Sequence, residues 1–215
     1  MKIKAVIFDL DGVLLETDRY HYLAWKRVLE GYGKEFSEED NELIKGVARS
    51  KSLEILLEMK GLRMSEVEKI SVLRKKNNWY LEYAMLIDEE DVLPGVREFL
   101  ELLKSYGLKT GIASTSDNSY VILELTGLMK YFDVLIDGYR VKEPKPNPEV
   151  YLVGASELKV KPEECAVFED SRAGVLAAKR AGMKVIVVSD KPIAEADKRV
   201  GSLEGLDISI LNFEA

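Results

Sequence analysis

Apolar and polar residues follow two rhythms along this chain. Lys4-Ala5-Val6-Ile7-Phe8 is a short, β-branched apolar run that ends in Asp9 and Asp11, the pattern of a strand buried on both faces of a parallel sheet. After Gly12 the spacing turns helical and stays so to about Ile87. A first helix is capped by Thr17 or Asp18, carries Tyr20, Leu23, Ala24, Val28 and Leu29, and stops at Gly31-Tyr32-Gly33. Ser37-Glu38-Glu39-Asp40 has the form of a capping box and opens a second, short helix ending near Gly46. A third helix is predicted over residues 50–60, with Leu53, Leu56 and Leu57 on one face, and a fourth over 65–86, carrying Val67, Ile70, Leu73, Tyr80 and Leu81. Four helices in succession predict a helical bundle inserted after the first strand.

An acidic linker, residues 88–95, closes with Pro94-Gly95, and strand and helix patterns then alternate. Helices over 96–106, 119–125, 148–158 and 171–181 separate the strands Lys109-Thr110-Gly111-Ile112-Ala113, Phe132-Asp133-Val134-Leu135-Ile136, Cys165-Ala166-Val167-Phe168 and Lys184-Val185-Ile186-Val187-Val188. Asp207-Ile208-Ser209-Ile210 reads as the last strand. Such alternation predicts right-handed βαβ units, hence an α/β fold with a parallel sheet covered on both faces. The domain division expected is a core of residues 1–15 and 92–215, with residues 16–91 as the inserted unit.

Composition narrows the function. With 32% charged and 47% hydrophobic residues, the 215-residue chain has an ordinary globular balance. A net charge of −7 leaves no basic excess for neutralising nucleic-acid phosphates, but does not exclude a small phosphorylated metabolite. The single Cys165 excludes an intramolecular disulfide, and no apolar run reaches the length of a membrane span. A cytoplasmic monomer with no membrane or nucleic-acid partner is the expectation.

The chemistry gathers at the ends of the predicted strands. Asp9 and Asp11 follow the first, Ser114-Thr115-Ser116 the second, and Glu169-Asp170 the fourth, while Lys145 lies in a proline-flanked loop after the third. Alone, Asp9-Leu10-Asp11-Gly12 fits an ordinary Asp-Gly turn as well as a metal site. Ser114 and Ser116 alone fit helix caps, and Glu169 and Asp170 fit a helix start. Together, acids for Mg2+, hydroxyls, backbone amides and one lysine on a single sheet edge describe a phosphate site.

These motifs, in this order and spacing, resemble the four motifs of the haloacid dehalogenase superfamily of phosphotransferases. The resemblance implies a Rossmann-like, three-layer α/β/α core with a helical cap. It implies Asp9 as nucleophile forming an aspartyl-phosphate, Asp11 as general acid and base, and Ser114 and Lys145 holding the transferring group. Asp9, Asp170 and the Asp11 carbonyl would ligate Mg2+, with Glu169 close by. Thr17, His21, Trp25, the Lys45-Gly46-Val47-Ala48-Arg49 run, Ser52-Leu53 and Lys76-Asn77 look like the cap and hinge of the β-phosphoglucomutase-like subgroup. By that likeness Arg49 binds a non-transferring sugar phosphate, His21 and Lys76 couple cap closure to Asp11, and Thr115, Ser116 and Asn118 touch substrate. The reaction implied is Mg2+-dependent phosphoryl transfer on a small phosphosugar, as mutase or as phosphatase.

One residue departs from the subgroup's pattern. Between Ser116 and Asn118 the mutase carries a base that grips the second phosphate, whereas this chain has Asp117. An acid there repels a bisphosphate by a few kcal/mol if unscreened. Hydrolysis to free phosphate needs no such grip.

Overall fold

The computed structural model describes residues 2–213. Its elements run β1 (Ala5–Phe8), α1 (Asp18–Glu30), α2 (Glu38–Glu42), α3 (Arg49–Lys60), α4 (Glu66–Ala84), α5 (Val96–Ser105), β2 (Lys109–Ala113), α6 (Ser119–Leu125), β3 (Val134–Ile136), α7 (Glu149–Glu157), β4 (Cys165–Glu169), α8 (Arg172–Arg180), β5 (Lys184–Val188) and β6 (Lys198–Val200). The six strands form one parallel sheet in the order β3-β2-β1-β4-β5-β6. The chain steps outward from β1 in one direction through β2 and β3, then in the other through β4, β5 and β6. The β1/β4 crevice is therefore the topological switch point, where open α/β sheets bind ligands.

Strand periodicity sorts side chains into two apolar layers. Val6, Phe8, Ile112 and Phe168 face α5 and α6, meeting Phe99, Leu100, Leu103, Ile122 and Leu123. Phe8 and Phe168 are register partners whose rings stack with centroids 5.1 Å apart. Ala5, Ile7, Val167, Val185 and Val187 face the other way, onto Val150 and Tyr151 of α7 and Val175, Ala177 and Ala178 of α8. The result is the three-layer α/β/α core expected.

Helices α1 to α4 intervene between β1 and α5 with a cluster of their own, including Trp25, Leu29, Leu53, Leu56 and Val72. Their inner ends are continuous with the core, because Tyr20, Ala24, Tyr80 and Ala84 join the layer that holds Phe8. The buried stripe of α4 is Val72, Lys76, Tyr80 and Ala84, at successive four-residue steps. Val67 and Ile70, expected on the packed face, are 78% and 59% exposed, because they lie off that stripe. Leu23 of α1 is likewise exposed.

The last strand is also corrected. Asp207-Ile208-Ser209-Ile210 is not a strand: Asp207 accepts a hydrogen bond from Ser209 N at 2.6 Å and caps a 3-10 turn over Ile208–Leu211. That short-range bond offers the backbone an alternative to pairing. The sheet ends instead in Lys198-Arg199-Val200, an edge strand whose cations discourage pairing with another chain.

Candidate active site

Parallel pairing aligns the carboxyl ends of β1 and β4, so the residues just past Phe8 and Phe168 meet. Asp9 N donates to Phe168 O at 2.9 Å, and the side chains of Asp9, Glu169 and Asp170 present oxygens within 4.8 Å of one another. Gly12 lets the first loop close over them. At φ +75 it adopts a turn that disfavours side chains, and a Cβ there would overlap the Asp170 carboxylate.

Lys145, from the loop between β3 and α7, reaches into this acidic cluster. Its Nζ donates to Asp9 Oδ1 at 2.6 Å and to Glu169 Oε1 at 2.7 Å, with all three side chains buried. Burial works against the ammonium, but Asp9 and Glu169 outweigh it and hold Lys145 well above its ordinary value. Burial likewise works to raise Glu169, yet Lys145 prevails and its carboxyl stays below the usual range. Both Glu169 oxygens are committed: Oε1 also accepts from Tyr151, and Oε2 accepts from Asp170 N, Ser171 N and Ser171 Oγ.

Asp170 is different. Its buried Oδ2 lacks a well-directed hydrogen-bond donor, although the Lys45 ammonium lies 2.8 Å away, and burial first and Glu169 second hold its carboxyl well above the usual range. Burial also pushes Asp9 up, to about 8, with Lys145 pulling against it. Crowded, desolvated carboxylate oxygens are a donor set suited to a hard divalent cation.

Asp11 stands apart in role. Thr17, fully buried at the start of α1, donates its hydroxyl to Asp11 Oδ1. Burial raises the Asp11 carboxyl to about 6, the Thr17 bond opposing it, which places it where an acid can both give and take a proton near neutrality. His21 Nε2 lies 3.9 Å from Asp11 Oδ2, and the other ring nitrogen lies 2.8 Å from Lys76 Nζ. Burial, then Lys76 and Arg49, holds His21 well below its ordinary value. His21 thus lies between Lys76, at its Nδ1, and Asp11, at its Nε2. Burial, with Arg49 adding to it, lowers Lys76 to about 7.

The four helices close over these acids and leave a cavity of about 310 Å3. Lys45 pairs with Asp18 and Asp170, and Thr115 Oγ1 donates to Gly46 O at 3.5 Å. Gly46 backs onto Ser171 so closely that a Cβ would overlap its hydroxyl. Arg49 reaches Asp117 and Asn77, and Asn118 also donates to Asn77. Of the residues singled out in the sequence, Asp9, Asp11, His21, Trp25, Lys45, Gly46, Arg49, Lys76, Thr115, Ser116, Asn118 and Asp170 line the cavity. Thr17, Lys145 and Glu169 stand behind its wall, bonded to residues of the site. Ser114 is buried beneath the β2–α6 loop, its Oγ accepting from Ser116 N at 3.1 Å.

Asp18 and Tyr151 belong to the site without having announced it. Asp18 reads as a helix cap and Tyr151 falls within the helix expected over 148–158, and only the fold brings them to Lys45 and Glu169.

A model of the haloacid dehalogenase-like hydrolase family matches residues 3–182. The chain belongs to this family. It is 38% identical to a β-phosphoglucomutase of Bacillus subtilis over 99% of its own length and 95% of the relative's. It is 41% identical to a phosphorylated carbohydrates phosphatase of Thermotoga maritima, covering 86% and 84% of the two chains. Its fold superimposes on the crystal structure of a β-phosphoglucomutase from Clostridium difficile with a TM-score of 0.92 and 35% identity, over 97% of this chain and 95% of that one. As a haloacid dehalogenase-like phosphatase or phosphomutase, the protein is an enzyme.

Proposed function

We propose that this enzyme transfers the phosphoryl group of a small phosphorylated sugar through an aspartyl-phosphate on Asp9. The observation that supports this most is the meeting of Asp9, Lys145, Glu169 and Asp170, from three separate loops, at one end of a cavity large enough for a phosphosugar. Residues 16–91 act as the cap, moving about hinges near residues 15–17 and 88–94 and shutting water out when substrate is bound.

In this reading an Asp9 carboxylate oxygen attacks phosphorus and the bond to the sugar oxygen breaks. Asp11 gives its proton to the departing oxygen, for which a carboxyl poised at about 6 is suited. An acceptor hydroxyl then loses its proton to Asp11, attacks phosphorus and frees Asp9. Lys145 offsets charge between the nucleophile and the phosphoryl oxygens, and Ser114 at the end of β2 holds the group in flight with it. The Thr17 hydroxyl holds Asp11 in place, with His21 beside it. Asp9, Asp170 and the Asp11 carbonyl would hold Mg2+, which when bound supplies positive charge against the dianionic phosphate.

Two acceptors fit the residues. The likeness to β-phosphoglucomutase over nearly the whole chain favours a sugar hydroxyl, and the engagement of Arg49 by Asp117 favours water. The enzyme acts as a cytoplasmic monomer in this account. A coupled assay with β-glucose 1-phosphate, Mg2+ and a glucose bisphosphate primer tests it: glucose 6-phosphate supports the mutase, free phosphate alone supports the phosphatase, and turnover of neither this nor other phosphosugars rejects the proposal.

A further inference from the structure

The part of the cavity wall made by Arg49, Asn77, Asp117 and Asn118 takes no part in the chemistry above, yet it joins cap to core. Arg49 Nη2 donates to Asp117 Oδ2 at 2.5 Å, and its Nη1 donates to Asn77 Oδ1. Asn118 Nδ2 donates to the same Asn77 oxygen at 3.0 Å. Two residues of the helical insert thus grip two consecutive residues of the β2–α6 loop. The ion pair is sheltered, with side-chain exposures of 29% and 23%, so it is screened less than a surface pair.

Two further cations of the cavity also have partners within the chain. Lys45 is held by Asp18 and Asp170, and Lys76 is turned to His21. A guanidinium that crosses from cap to core needs an anion at its far end, and here the chain carries that anion itself. A ligand bringing a second phosphate to Arg49 must first displace Asp117. One that ends in hydroxyls meets an already neutralised guanidinium and two carboxamides, a surface of donors and acceptors without net charge.

We propose that Asp117 is the built-in counter-ion that docks Arg49 and so closes the cap over substrates bearing a single phosphate, making it the positioning residue that selects monophosphates over bisphosphates. The inference rests on the phosphosugar reading above and goes beyond simple repulsion, which would leave monophosphates unaffected.

The test compares wild type, Asp117→Asn, Asp117→Arg and the exchange Arg49→Asp with Asp117→Arg, all with Mg2+. Three readouts are taken: kcat/KM for glucose 6-phosphate hydrolysis, with p-nitrophenyl phosphate as a second monophosphate; the inhibition constant of glucose 1,6-bisphosphate; and hydrogen exchange of ligand-free protein at the start of α3 and at residues 117–119. Asp117→Asn is expected to lower kcat/KM for monophosphates about tenfold, to tighten the bisphosphate about tenfold and to speed exchange at both segments. Bisphosphate should restore the lost protection, and the charge exchange should recover monophosphate turnover above Asp117→Arg alone. Unchanged exchange with an unchanged preference overturns the inference while leaving phosphoryl transfer intact. Weaker turnover without tighter bisphosphate binding marks a merely structural residue and overturns it too. Wild-type protein that hydrolyses neither monophosphate and is not inhibited by the bisphosphate removes the parent reading together with the inference.

Discussion

Lys145 Nζ donates to Asp9 Oδ1 at 2.6 Å across 136 residues of sequence, in a setting from which solvent is almost wholly excluded. Removing the cation leaves buried carboxylates facing each other. Lys145→Met is predicted to destabilise the fold by about 3–5 kcal/mol, as unpaired buried charge does, and to reduce turnover at least a hundredfold. Urea denaturation and steady-state kinetics check the two effects separately.

Thr17 tunes Asp11, the proposed proton-transfer group. Its hydroxyl donates to the Asp11 carboxylate and so favours the charged form, opposing the upward push of burial. Thr17→Val withdraws that bond, so the Asp11 carboxyl should rise from about 6 by about one unit. The acidic limb of the pH–rate profile that reports on Asp11 as base should move upward by the same amount. A limb that stays where it was would exclude Asp11 as its origin.

Lys76 predicts a stability effect with a definite sign. Its ordinary value is 10.5 and burial lowers it to about 7 in the folded protein, so between these values the unfolded chain binds the additional proton. Stability from this group therefore increases with pH across that window, and below about 7 the full cost of the buried charge is felt. Lys76→Met should stabilise the protein at pH 6 by roughly 2–4 kcal/mol, with the advantage fading toward pH 10. Denaturation midpoints of the two proteins measured across this range give the comparison.

The acidic cluster predicts metal dependence. Chelation should abolish turnover and Mg2+ should restore it, whereas Asp170→Asn should lose the response because it removes a carboxylate from the acidic cluster. Mg2+ should also raise the melting temperature of the wild type, since a ligand that binds only the folded state stabilises it. Equal thermal shifts for wild type and Asp170→Asn would place the ion elsewhere.

What the sequence discloses about this fold depends on burial. The strands β1, β4 and β5 are almost wholly enclosed, and each appears as a run of four apolar residues. The edge strand β6 is half exposed, begins Lys198-Arg199, and leaves no such trace. In α4 the buried stripe includes Lys76, so an apolar-periodicity reading passes over it and favours Val67 and Ile70, which face solvent. The acids of the candidate site are readable because parallel sheets place ligands at strand ends, and Asp9, Glu169 and Asp170 occupy those ends. The engagement of Asp117 by Arg49 is not readable, because it depends on how the cap lies over the core, and no local spacing encodes that.

The central claim is that Asp9 itself receives the phosphoryl group. Rapid-quench mass spectrometry of protein mixed with Mg2+ and acetyl phosphate should find a single acid-stable, alkali-labile phosphate on the peptide containing Asp9, absent from Asp9→Asn. Turnover at the wild-type rate by Asp9→Asn, or a phosphate carried by any other residue, would contradict it.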